Sequence, residues 1–149
     1  MCYHLPVTAR RVVIDTNVFV GALLRREGKN RNVLRACFEG RLAPLMGAAL
    51  FFEYEELLGR QQLFRHSPLN ARERRQLLES FLSVCEWVQV YFSWRPNLRD
   101  EGDNHVLELA VAGGASAIVT NNVRDFAGSD LRFPDIRILS AKDLLKELP

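Results

Sequence analysis

The chain has 149 residues, 48% of them apolar and 26% charged, with a formal net charge of +2. That length suits one domain with a sizeable core, and the composition is that of a water-soluble globular protein. No apolar run nears the ~20 residues of a membrane span, no Cys or His spacing suggests zinc, and the small net charge excludes a strong global field toward nucleic acid.

Residues 1–9 read as a loose tail without the apolar core of a signal peptide, and residues 10–149 as a single domain. Cys2, Cys37 and Cys85 are odd in number and far apart, which fits reduced thiols in a cytoplasm. Cys37 and Cys85 fall on apolar helical stripes, as small core residues do.

The first element is the β-branched run ending Val12-Val13-Ile14, a strand buried on both faces. It stops at Asp15, and Val18, Phe19, Ala22 and Leu23 then follow helical spacing to about Arg26. Asp15 therefore sits where a strand ends and a helix departs, the place where open α/β sheets form their ligand crevice. A helix cap shared with Thr16 or Asn17 is the simpler alternative.

Arg25 to Arg31 is a basic, Gly-containing link. It suits either a polyanion or plain solvation of a helix connection. Among the 20 basic residues only Lys29, Lys142 and Lys146 are lysines. Arginine forks suit bidentate phosphate contacts, and genome base composition produces the same bias.

Asn32 to Gly40 is predicted as a second helix and Leu42 to Met46 as a second strand. Gly47 opens a helix over 48–60 with a stripe of Leu50, Phe51, Tyr54, Leu57 and Leu58. Glu53 and Glu55 flank that stripe, and Glu56 can pair with Arg60 at i,i+4. Periodicity does not choose between Glu53 and Glu55.

After a polar loop over 61–69, Asn70-Ala71-Arg72-Glu73 has the form of a capping box. Its helix carries Leu77, Leu78, Phe81, Leu82 and Cys85 on one stripe. Arg72, Arg74 and Arg75 crowd the first turns against the helix dipole, a hint of a partner. Trp87 to Phe92 reads as a third strand and 96–102 as a loop.

Asp103 then heads a helix whose stripe holds Val106, Leu107 and Ala110, three, four and seven residues later. A carboxylate aligned with that stripe points inward; Asp100 is the plainer cap. Ala117-Ile118-Val119 is a fourth strand ending at Thr120, followed by Asn121, Asn122 and Asp125. Ile136 to Leu139 is the last strand, and Ser140 caps the closing helix. Alternating strands and helices imply a three-layer α/β/α fold with a mainly parallel central sheet.

Four acids, Asp15, Glu53, Asp103 and Asp125, thus share a logic of strand ends and helix starts. Two unit charges 4 Å apart repel by about 4 kcal/mol at an effective dielectric near 20. A crevice holding several such groups needs protons, arginines or a hard cation. Oxygen-only ligands suit Mg²⁺ or Mn²⁺, which can activate water on a phosphodiester without a nucleophilic side chain.

The chain resembles the PIN-domain family, and in particular its bacterial VapC-like toxin branch, from about Arg10 to Leu148. The segments that carry the resemblance are Val-Ile-Asp15-Thr16-Asn17, the helix from Glu53 to Arg60, Asp103 to Ala110, and Ile118 to Phe126. The resemblance implies a metal-dependent endoribonuclease using Mg²⁺ or Mn²⁺ and leaving 5′-phosphate and 3′-hydroxyl ends. It further implies a cytoplasmic homodimer, with no membrane partner, neutralised by a small antitoxin in a type II toxin–antitoxin pair.

Carried across by position, Asp15, Glu53 and Asp103 match the central metal-site acids, and the match selects Glu53. Many relatives have Asp where Asn122 stands, which leaves Asp125 as the fourth catalytic and metal-binding carboxylate and bears on whether one metal or two are bound. Thr16, Asn17, Thr120 and Asn122 match positions that shape the pocket and orient substrate. Gly47 and Ala48 stand where a Ser often precedes the acidic helix.

The loss of charge at Asn122 also suits another class, a catalytically weak PIN-fold RNA-binding or assembly module. A phosphoryl-transfer aspartate of the haloacid-dehalogenase kind needs a second Asp two residues on, where this chain has Asn17. It also leans on a Lys beyond a later strand, and none lies between Lys29 and Lys142. The first helices, with Phe19, Val33 and Phe38, carry more apolar surface than one sheet face easily covers, which suits a dimer.

Overall fold

The computed structural model describes residues 9–90, 101–126 and 133–149, with the backbone alone for 101–103. The expected tail, but for Ala9, lies outside the described residues, as do Asp100 and the far end of the expected third strand.

Five strands build one sheet: β1 (Arg10–Ile14), β2 (Leu42–Met46), β3 (Glu86–Trp87), β4 (Ala117–Val119) and β5 (Arg137–Leu139). Their order is β3-β2-β1-β4-β5, and every pair is parallel. The helices are α1 (Thr16–Leu24), α2 (Lys29–Phe38), α3 (Ala48–Leu58), α4 (Ala71–Val84), α5 (Glu101–Gly113) and α6 (Ala141–Glu147). The expected three-layer α/β/α architecture is therefore present. α5 packs on β1, β2 and β4, while α2 packs on β2 and gathers α1, α4 and α6.

Central position buries the last three residues of β1 and all of β4. Val12, Val13 and Ile14 are at most 1% exposed, beside Ile118 and Val119 at 0%. Val13 pairs with Ile118 and Ile14 with Val119, so β1 and β4 end side by side. An aromatic trio, Phe19, Tyr54 and Phe81, locks α1, α3 and α4 together with ring centroids 5.1–6.0 Å apart. Such pairs add roughly 0.5–1.5 kcal/mol beyond their buried area.

Several elements differ from the sequence expectation. α1 ends at Leu24, and α2 begins at Lys29 rather than Asn32. The break runs from Arg25 to Gly28, and at Gly28 the φ of 129° is open to glycine and strained for other residues. A short 3₁₀ turn, Gln61–Phe64, occupies the expected polar loop and buries Phe64. α5 starts two residues before Asp103, which places that acid in the first turn. The caps at Asn70 and Ser140 behave as expected: each side chain accepts from the backbone N–H three residues on.

Two of the arginines at the start of α4 make contacts within the fold. Arg74 is buried, donates to Leu69 O at 2.7 Å, and stacks 4.6 Å above the Phe64 ring. Arg75 pairs with Glu55 at 2.7 Å and with Glu79 at 3.5 Å. Tertiary contacts outweigh the dipole here.

The apolar surface also lies partly elsewhere than expected. Phe19 and Val33 are sealed inside the chain, at 1% and 0% exposure, and of the three residues expected to supply apolar surface only Phe38 is exposed. More exposed are Phe52 at 68% and Trp87 at 54%, bridged by Phe51.

Candidate active site

β1 and β4 end beside each other, and the residues just past their ends are stitched together. Asp15 N–H donates to Val119 O at 2.9 Å, which extends the ladder one residue. The Asp15 carboxylate, 6% exposed, accepts from Thr16 N–H at Oδ1 (2.8 Å), from the Thr120 hydroxyl at Oδ2 (2.8 Å), and from the Asn17 amide at Oδ2 (3.3 Å). Thr120, fully buried, in turn accepts from the Asn17 amide (3.3 Å) and from Asn122 N–H (3.0 Å). Asn121 binds Asn17 twice, through its backbone N–H and through its side-chain amide.

The cap and the site are therefore one arrangement. Asp15 is the N-cap of α1, but its bond goes to the first helical N–H rather than to the second or third. The carboxylate is oriented by neutral donors from two strand ends. Thr16, Asn17, Thr120 and Asn122 all enter this network, Asn122 through its backbone.

Glu53 comes from α3. Its neighbour Tyr54 is buried and donates its hydroxyl to Ile14 O at 2.7 Å, so α3 is tied to β1 one residue before Asp15. Burial pushes the Tyr54 phenol well up, with Cys85, Asp15, Cys37 and Glu53 adding to it. This keeps the hydroxyl protonated as a donor. Glu53 itself is half-buried; further along α3, Glu55 pairs with Arg75 and Glu56 with Arg60.

Asp103 is the third residue of α5, and its side chain lies outside the described residues. Asp125 is half-buried in a 3₁₀ turn over Val123–Phe126, its N–H bonded to Asn122 O at 3.0 Å. Among the described residues no three His, Cys, Asp or Glu side chains stand close enough to hold a metal ion. The oxygens that the strand ends and α3 do present, two carboxylates and a hydroxyl, are the hard donors that Mg²⁺ and Mn²⁺ accept.

A groove of about 430 Å³ borders the cradle through Asn121. Arg25, Lys29, Arg31 and Lys142 line it, with Glu27 as its acid. Arg31 spends two donors on Ala22 O, and burial, Arg35 and Arg26 together hold its pKa below the ordinary value. The basic link between α1 and α2 thus lines a groove that reaches Asn121.

Sequence reasoning missed two buried polar residues on α5, Asn104 and Glu108, at 4% and 6% exposure. The available signal was the near-continuous apolar run from Val106 to Val111, in which Glu108 is the one charge. Cys37 and Cys85 are the core thiols expected: burial pushes each up to about 12, with Cys85 adding to the shift at Cys37.

The chain matches the family described as PIN domain over residues 11–124. Its fold is similar to the structure described as VapBC2 from Rickettsia felis bound to a promoter DNA fragment, with a TM-score of 0.59 and 17% identity. That match covers 87% of this chain and 98% of the other. A second similar structure, DNA-bound VapBC from Salmonella typhimurium, gives a TM-score of 0.56 at 17% identity, covering 89% and 98% of the two chains. No curated protein matches the chain significantly.

Proposed function

As this chain belongs to the PIN-domain family, we propose that it is a metal-dependent endoribonuclease and the toxin of a toxin–antitoxin pair. The observation that carries the reading is the Asp15 cradle. A nearly buried carboxylate stands at the carboxyl ends of the two central strands, oriented by Thr16, Asn17 and Thr120.

Asp15, Glu53 and Asp103 would hold Mg²⁺ or Mn²⁺, with Asp125 as the fourth acid. When bound, the metal supplies Lewis acidity at a phosphodiester and a water of lowered pKa. The chain's own part is positioning. The Thr120 hydroxyl donates to Asp15 and so keeps one carboxylate lone pair engaged and the plane of the group fixed. Asn17 spans both, so a rotation of Asp15 breaks bonds on two strand ends. Tyr54 fixes the backbone of α3, and hence Glu53, relative to β1. Outer donors of this kind are typically worth 10–100-fold in metal affinity or activity.

Arg25, Lys29, Arg31 and Lys142 supply the positive potential that a single RNA strand needs along its phosphates. Asn122 carries no charge, which suits orientation of a phosphate or water more than metal binding. The similarity to VapBC structures supports a small antitoxin as partner and a cytoplasmic setting. Phe52 and Trp87 supply apolar surface for a homodimer.

The test is cleavage of structured and unstructured RNAs with Mg²⁺, Mn²⁺ and chelator. Cleavage of unpaired RNA that stops with chelator is expected. RNA binding without any cut would favour the catalytically weak module. For the assembly, ultracentrifugation at micromolar concentration should show a dimer that Trp87→Ser weakens.

A further inference from the structure

Between the first turn of α3 and the middle of α5 lies a second cavity, of about 340 Å³. Its aliphatic lining includes Leu50, Val88 and Leu109, and its polar lining includes His105 and Glu108. Cavities of this size take small organic groups.

Glu108 is only 6% exposed, and its Oε1 is buried with no hydrogen-bond partner among the described residues. An orphaned buried acceptor costs stability, and natural cores seldom keep one without a reason. The terminal torsion of Glu is soft, so a half-turn exchanges the two oxygens and brings either to a ligand.

The other polar wall is the N-terminus of α3. Gly47 is its N-cap and provides no side-chain bond. A Cβ at Gly47 would lie 3.2 Å from Leu109 Cδ1 and 3.4 Å from Val88 O, so the capping side chains Ser or Asp would crowd this wall. The first N–H groups of a helix have no acceptor within it. The cavity thus offers backbone donors from one wall and a carboxylate from another, between apolar faces.

That pairing rejects simple ions. An anion meets Glu108, and a cation meets the positive end of α3. What fits is a flat neutral group that donates to a carboxylate and accepts from an amide N–H. We infer that this cavity seats one unpaired nucleobase bearing an exocyclic amino group (adenine, cytosine or guanine), with Glu108 accepting from that amino group. The first N–H groups of α3 then donate to the ring nitrogen or carbonyl beside it. Uracil fits poorly, because its one imide N–H lies between two carbonyl oxygens that the carboxylate repels.

The inference rests on the ribonuclease reading. α3 carries Glu53 three residues beyond Leu50, and α5 carries Asp103 two residues before His105. A base held here therefore belongs to a nucleotide near the bond to be cut, which makes Glu108 a specificity residue outside the metal-site acids.

The test uses fluorescence anisotropy of the full chain with labelled hexamers of A, C and U in chelator, paired with cleavage of the same hexamers in Mn²⁺. The A and C hexamers should bind about tenfold tighter than U, the worth of one good base contact. Glu108→Gln should shrink that ratio to below about twofold. Ala49→Glu gives a second variant that the helix dipole favours; it competes for the same N–H groups and should shrink the ratio likewise.

Equal binding of all three hexamers alongside normal cleavage would overturn the base pocket and leave the ribonuclease reading standing. So would Glu108→Gln that melts higher and keeps the wild-type preference, since Glu108 would then be only a buried liability. Absence of both binding and cleavage would overturn the two together.

Discussion

At the amino end of the sheet, Arg10 and Arg137 both pair with Glu147, and Arg11 pairs with Glu86 at 2.8 Å. At the carboxyl end, Asp15 takes its hydrogen bonds from a backbone N–H, an amide and a hydroxyl. The first end brings opposite charges together on the surface, where each pair is screened and contributes little. The second holds a nearly buried carboxylate that a backbone N–H, an amide and a hydroxyl orient. The difference teaches where charge ties the fold together and where a carboxylate is instead held in a fixed orientation at the strand ends.

The largest effects should follow from the carboxyl end. Asp15→Asn or Glu53→Gln should lower cleavage by about a hundredfold or more while the protein stays folded, checked by initial rates beside circular dichroism. Wild-type rates in either variant would erase the contrast between the two ends.

Thr120→Val keeps shape but removes the donor to Asp15 and the acceptor for Asn122. It should lower activity about 10–100-fold and cost about 1–3 kcal/mol in denaturant melts, because it orphans buried polar groups. A loss of stability without loss of activity would make the cradle a cap and nothing more.

Charge reversal in the basic groove, Arg25→Glu with Lys142→Glu, should act on KM rather than kcat. The log–log salt slope of RNA binding should fall by about 0.7 for each phosphate that the groove no longer neutralises. Unchanged salt dependence would remove the groove from the RNA path.

The smallest effect belongs to the amino end. Hydrogen bonds from Arg10 and Arg137 hold the Glu147 carboxyl below its ordinary 4.5. The stability from this pairing is present above that pH and lost as pH falls through the lowered native value. Glu147→Gln should therefore soften the acid limb of the melting curve and leave cleavage at neutral pH unchanged.

Much of this contrast was legible in the residues. Ile14 followed by Asp15, and Val119 followed by Thr120, mark strand ends because β-branched runs stop there and helical spacing or polar groups begin. Pairing across the fold was not legible. Nothing local in Arg74 shows that Phe64 and Leu69 O cover it, and the helical spacing of Phe19 does not reveal that Tyr54 and Phe81 enclose it. The choice between Glu53 and Glu55 was equally closed to periodicity, because both flank the stripe. The pairing of Glu55 with Arg75, twenty residues along the chain, is likewise invisible in local spacing.

The central proposal is that Asp15 holds a metal, and thermal melts test it most directly. Wild type and Asp15→Asn are melted in chelator and in several millimolar Mn²⁺. Binding to the native state raises stability by mass action, so wild type should melt higher with Mn²⁺. Asn can still cap α1, and it relieves repulsion from the neighbouring acids. Asp15→Asn should therefore melt level with wild type or higher in chelator, and lose most of the rise with Mn²⁺. If Asp15→Asn melts lower in chelator yet gains as much from Mn²⁺ as wild type does, Asp15 is a structural cap and the metal site is wrong.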